Sequence, residues 1–172
     1  IADGNVKIVS IENNTTIFGD HLEDYAETKY TLINENPVLL QIDTIYTAED
    51  DSVENFRIDS LIIKCEVMEG IRDTSNIFKA TDSVKIIRGV FASVNDFTLY
   101  LRTDEKIITE KMSDEGERPI LWYENSQLTG DSITIYLEDN EIKSLDVNSN
   151  AFMLSQSKKY PERFDQTSSN NL

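Results

Sequence analysis

A short phrase that returns at nearly even spacing constrains this chain more than any other feature. The stretches "IFGDHLEDY", "FRIDSLIIK", "ASVNDFTLY" and "LTGDSITIY" superpose at Asp20, Asp59, Asn95 and Asp131, at intervals of 39, 36 and 36 residues. Each places a turn-forming step ahead of an alternating strand. In "ITIYL" the apolar Ile133, Ile135 and Leu137 fall at every second position, on one face of a strand, with Thr134 and Tyr136 on the other. Asp139-Asn140 supplies turn chemistry, so Gln127 to Val147 reads as a strand, a tight turn and a returning strand. A second phrase travels with the first, a small or turn-forming residue ahead of an apolar run: "ENPVLLQID", "TDSVKIIRG", "RPILWYEN" and "SNAFMLSQ". The unit is a strand pair repeated end to end, which predicts an all-β chain of stacked antiparallel strands.

Composition narrows the function. The 172 residues include 39% hydrophobic residues, enough to bury a core, and one repeat array over residues 1–172 is expected, with no Gly/Ser-rich linker to divide it. Nothing in it reads as a signal peptide or a bilayer-spanning run. The 32 acidic residues against 16 basic ones, a net charge of −16, argue against nucleic acid as a partner and disfavour binding to an anionic membrane surface. The charge gives solubility to a chain rich in strand edges. Cys65, the single cysteine, lies in the apolar run "LIIKCEV" and is expected to be a buried thiol without chemistry.

Catalytic motifs are missing. There is no phosphate loop, nucleophile elbow, zinc helix or EF-hand loop, and His21 is the one histidine, read as an exposed or hairpin-edge residue. The acidic clusters "AEDD" (Ala48 to Asp51) and "SDEGE" (Ser113 to Glu117) lack fixed ligand spacing and read as solvated turns. No cofactor or metal is expected.

The inner face carries the functional signal. In repeat register, Val38 and Leu40, Val84 and Ile86, Ile120 and Trp122, and Phe152 and Leu154 occupy equivalent alternating positions. Leu61 and Ile63, Phe97 and Leu99, and Ile133 and Ile135 do the same on the preceding strands. Stacking would align them into one apolar stripe, either closed core or an open groove for alkyl chains. At roughly 0.8 kcal/mol per buried CH₂, a chain of about a dozen carbons would gain on the order of 10 kcal/mol before ordering costs. Periodicity alone does not choose between the two.

The segment "RPILWYENSQLTGDSITIYLEDNEIKSLDVNSNAFMLSQ", followed by "YPERFDQTSSNNL", resembles the OstA-like family of lipopolysaccharide-transport proteins, which includes LptA, LptC and the periplasmic part of LptD. "DGNVKIVS" and "FGDHLEDY" resemble the same family's strand phrases, and the likeness is strongest from Glu117 to Leu172. The resemblance implies a boat-shaped β-jellyroll with a hydrophobic interior that carries lipid A acyl chains across the periplasm. Its functional residues are then a lining, and the fourteen inward positions named above are the candidates.

The function expected on this reading is noncatalytic binding or bridging in the periplasm, in association with the outer membrane, for lipopolysaccharide transport and outer-membrane assembly. The partners are lipopolysaccharide and other β-jellyrolls of the same kind, or further repeats. A β-helical protein that binds or cleaves carbohydrate, and a structural spacer with a closed core, are the alternatives. The last residues, "QTSSNNL", lie over the start of a further repeat, Gln127 to Ile133, so the chain is expected to be cut from a longer array whose terminal edge recruits another strand.

Overall fold

The computed structural model describes residues 1–11, 14–47, 55–74, 76–138 and 141–172. The Asp139-Asn140 turn and the "AEDD" cluster lie outside these residues. The described residues form fourteen strands: β1 (Ala2–Ser10), β2 (Thr15–Tyr25), β3 (Tyr30–Asn34), β4 (Val38–Thr47), β5 (Asn55–Lys64), β6 (Val67–Ile71), β7 (Ile77–Arg88), β8 (Phe91–Leu101), β9 (Lys106–Glu110), β10 (Ile120–Tyr123), β11 (Ser126–Thr129), β12 (Ser132–Glu138), β13 (Glu141–Gln156) and β14 (Phe164–Asn171). All belong to one antiparallel hydrogen-bonded sheet.

Long strands change partner midway, and this folds the sheet into two walls. In β2, Thr15 to Phe18 pair with β4, whereas His21 to Tyr25 pair with β3. In β7, Lys85 to Arg88 pair with β5 and Ile77 to Thr81 with β6. In β13, Glu141 to Asn148 pair with β12 and Phe152 to Ser155 with β11. One wall therefore holds β4, β5, β10 and β11 with one half of each long strand; the other holds β3, β6, β9 and β12 with the other halves.

The corner between the walls explains the recurring phrase. At Gly4-Asn5, Glu35-Asn36, Asp82-Ser83 and Ser149-Asn150 both residues of the pair have positive φ, between 52° and 77°. Against these pairs lie Gly19-Asp20, Cys65-Glu66, Asn95-Asp96 and Gly130-Asp131. The same backbone bond recurs: Asp20 N–H donates to the Glu35 carbonyl at 3.0 Å, Glu66 N–H to Asp82 at 3.0 Å and Asp131 N–H to Ser149 at 2.9 Å. Three of the corners coincide with shifts in strand register, as bulges do.

The true steps therefore run through Asp20, Glu66, Asp96 and Asp131. Two of the four superposed positions are displaced. Asp59 sits within the first wall, paired with Asp43, because the β4–β5 hairpin is long and its corner falls later, at Glu66. Asn95 stands in the place of the glycine, so Asp96 is the third step.

Inward residues form unbroken ladders. Across the first wall run Ile8, Ile17, Leu39, Ile63, Ile86, Ser93, Leu121, Leu128 and Met153, each paired with the next. Across the second run Leu22, Ile33, Met68, Ala80, Thr98, Thr109, Ile133 and Val147. The two ladders share one core.

Candidate functional site

The space between the walls differs along the stack. At the β1 end it opens into a cavity of about 510 Å³, within the range of ligand pockets. Its floor is aliphatic: Ile8, Ile17 and Leu39 from the first wall face Leu22, Ile33 and Met68 from the second. Leu61, Ile63 and Phe78 complete it, while Asp24, Gln41, Arg72 and Arg102 line it with polar groups farther from the corner. Arg72 Nη2 and Thr31 Oγ1 both donate to Asp24 Oδ1 at 2.6 Å, and the Arg102 guanidinium lies 6.0 Å from the Tyr100 ring centre. An apolar floor with a polar margin suits a molecule with an alkyl part and a polar part.

Toward the β14 end the walls close. Leu121, Ile133 and Ile135 have no exposed surface, and Val147 and Ala151 are buried with them. Between the two regions the lining turns polar. Ser93, Asn95, Thr98 and Thr109 are buried. Thr98 Oγ1 donates to Asn95 Oδ1 at 2.8 Å and Asn95 Nδ2 to Ser93 Oγ at 3.2 Å, while Thr109 Oγ1 donates to the Ile133 carbonyl at 3.5 Å, so each has a partner within the protein. The expected stripe is thus open at one end, polar in the middle and sealed core at the other.

Of the fourteen candidate lining residues, Leu61 and Ile63 line the cavity. Val84, Ile86, Ile133 and Ile135 face inward as closed core. The other eight face away from it. Val38 and Leu40 flank the buried Leu39, and Ile120 and Trp122 flank the buried Leu121. Phe152 and Leu154 flank Met153, which packs on the core, and Phe97 and Leu99 flank the buried Thr98. The physical cause is the corner. Pro37 and Pro119 are themselves fully buried, and Ala151 is nearly so; these compact residues fit inward where the walls converge, which turns the next, larger residue outward. Ile8, Ile17, Leu22, Ile33, Leu39, Met68 and Phe78 were missed. Their signal was available in part: Ile17 and Leu128 lie two residues before a corner glycine, and Leu22 and Ile133 two after its aspartate.

His21 ties the edge strand β1, which carries Ile8 to the cavity, onto β2. Its Nδ1 lies 2.5 Å from Asp3 Oδ1 and its Nε2 3.2 Å from Glu23 Oε1, while Tyr25 Oη donates to Glu23 Oε2 at 2.6 Å. The hydrogen bond to Asp3, then that to Glu23, raises the His21 pKa above its ordinary value. A raised folded-state pKa means that the stabilisation is complete below about pH 6.5 and fades as pH rises through the folded value. Amide exchange in β1 is therefore expected to speed up from pH 6 to 8.5 beyond its intrinsic pH dependence, and His21→Gln should abolish that excess. Cys65 is buried at the corner, its thiol donating to the Val67 carbonyl at 3.1 Å, and burial pushes its pKa up to about 12. It holds no thiolate at neutral pH.

No family model matches the sequence, and no curated protein sequence matches it significantly. Among solved structures, the chain is similar to LptH of Pseudomonas aeruginosa, described as the LptA-homologous periplasmic component of the conserved lipopolysaccharide transport device. The TM-score is 0.58 at 9% sequence identity, over 91% of this chain and 95% of that one. The two-walled sheet folded at a repeating corner is thus the LptA-like β-jellyroll.

Proposed function

We propose that this chain is a noncatalytic periplasmic component of lipopolysaccharide transport, and that the cavity at its β1 end receives acyl chains. The observation that carries the reading is the cavity itself, an aliphatic floor with a polar margin, in an LptA-like fold whose other half is closed. Leu61 and Ile63, with Ile8, Ile17, Leu22, Ile33, Leu39, Met68 and Phe78, border the cavity and would contact the acyl chains. The polar belt at Ser93, Asn95, Thr98 and Thr109 limits how far an alkyl chain penetrates, since buried polar groups offer it little gain. β1 pairs only with β2 and β14 only with β13 among the described strands, so both ends present edges that add a strand from a β-jellyroll partner.

Binding of purified lipopolysaccharide, read by displacement of a fluorescent fatty acid, tests this. Ile17→Glu should weaken binding at least tenfold while the protein still melts cooperatively, because Ile17 is half-buried at an open cavity. Tyr136→Ser, on the outer surface of the second wall, should leave binding unchanged. A parent protein that binds no lipopolysaccharide, or a folded Ile17→Glu variant that binds as tightly as the parent, overturns the reading.

A further inference from the structure

The outer surface of the first wall departs from the charge of the molecule. The chain carries 32 Asp and Glu among 172 residues. Yet at the described outward positions of β1, β2, β4, β5, β7, β8, β10, β11 and β13 on this wall, none is acidic. The row beside the corner pairs Lys7 with Phe18, Phe18 with Val38, Val38 with Lys64, and Lys64 with Lys85. The next row pairs Leu40, Ile62, Ile87, Ala92 and Trp122. Ile87 is 53% exposed, and Ile62 and Trp122 each 38%. The outer surface of the second wall, by contrast, holds Asp3, Glu23, Glu110 and Asp146.

We propose that the first wall's outer surface docks on an anionic phospholipid bilayer. Net charge opposes this, and the exposed Glu35, Glu66 and Asp82 border the lysine row at the corner, but at the described outward positions of these strands every charged side chain is a lysine. Packed sheets lie about 10 Å apart, and the Debye length at physiological salt is about 8 Å, so the second wall's acids act on a surface beneath the first wall only after screening. Lysines amid aliphatic and aromatic side chains fit a bilayer interface, where the alkyl stem lies among lipid and the ammonium reaches the phosphates. Protein interfaces are instead depleted in lysine. The outward Val38, Leu40, Ile120, Trp122, Phe152 and Leu154 of β4, β10 and β13 belong to this surface.

Trp122, the single tryptophan, lies on the surface and reports on it directly. With vesicles of phosphatidylglycerol and phosphatidylcholine at physiological salt, the chain should cosediment and its tryptophan emission should shift to the blue, with neither change on pure phosphatidylcholine. Lys7→Glu/Lys64→Glu/Lys85→Glu should weaken binding at least tenfold. Ile62→Ser/Ile87→Ser, exposed positions that leave the core intact, should weaken it and reduce the shift. Lys106→Glu on the second wall and Ile17→Glu in the cavity should dock as the parent does, which separates this result from acyl-chain binding. Absence of vesicle binding overturns the proposal. So does self-association without lipid, seen by light scattering and removed by Ile62→Ser/Ile87→Ser, since the surface would then join copies of the chain.

Discussion

Arg88→Met is expected to cost about 3–5 kcal/mol of stability, the range for removing one member of a buried ionic group. Asp43 and Asp59 are directly opposed on β4 and β5, an arrangement that like charges destabilise. Arg88 resolves it by bonding both, with Nε 2.7 Å from Asp59 Oδ2 and Nη2 3.0 Å from Asp43 Oδ2. The Arg88 side chain is only 14% exposed, and the two carboxylates 20% and 17%, so water does little to screen the pair once the cation is gone. Gln41, which lines the cavity, also donates to Asp43, at 3.0 and 3.1 Å. The network thus fixes the part of the first wall farthest from the corner, beside the proposed acyl site. Urea unfolding measures the loss. Replacing Arg88 by Met together with Asp43 and Asp59 by Leu should recover most of it, because the cost lies in the uncompensated charges. A loss below about 1 kcal/mol for Arg88→Met would show that the carboxylates find enough water without the cation.

The same residues show what sequence could and could not reveal. Alternation in "ITIYL" correctly placed Ile133, Ile135 and Leu137 inside, because strand period is a local property. Asp43, Asp59 and Arg88 belong to no motif, and only the pairing of β4 with β5 and of β5 with β7 brings them together. The near-constant interval through Asp59 and Asn95 concealed a long hairpin and a one-residue slip. A slip of one residue reverses a whole strand, which is how Phe97 and Leu99 were exchanged for Thr98 and Tyr100. Whether the stripe was groove or core was not legible at all. Leu22 at the cavity and Ile133 in the closed half stand at equivalent alternating positions, and the separation between the walls, a tertiary property, decides their exposure.

Gly130→Ala is expected to destabilise the chain by about 2–3 kcal/mol, the upper part of the range for overpacking a close-packed site. A Cβ there would stand 2.6 Å from Val147 Cγ1 and 3.2 Å from the carbonyl oxygens of both Asn148 and Ser149. The methyl is held on a β-branched residue and the carbonyls belong to the neighbouring strand's backbone, so none yields by simple rotation of a flexible side chain. The carbonyls are also those that accept from Asp131 N–H, at 3.1 and 2.9 Å, and Asn150 Nδ2 donates to Asp131 Oδ2 at 2.9 Å. Pushing the strands apart would therefore loosen the corner bonds along with the packing. Partial burial pushes the Asp131 pKa upward, but the Asn150 hydrogen bond and the Lys111 and Arg118 charges outweigh it and hold the carboxyl below its ordinary value. Gly19 has the same problem, with Ile33 Cγ2 2.5 Å from its Cβ position, whereas Gly70 has nothing nearer than 4.0 Å. Thermal unfolding should rank Gly130→Ala and Gly19→Ala well below Gly70→Ala. Adding Val147→Ala to Gly130→Ala should cost less than the two changes do separately, since it removes the methyl contact while leaving the carbonyls in place. Equal stability of Gly130→Ala and Gly70→Ala would mean that close approach at the corner does not require glycine, and the recurring Gly-Asp step would lose its physical explanation.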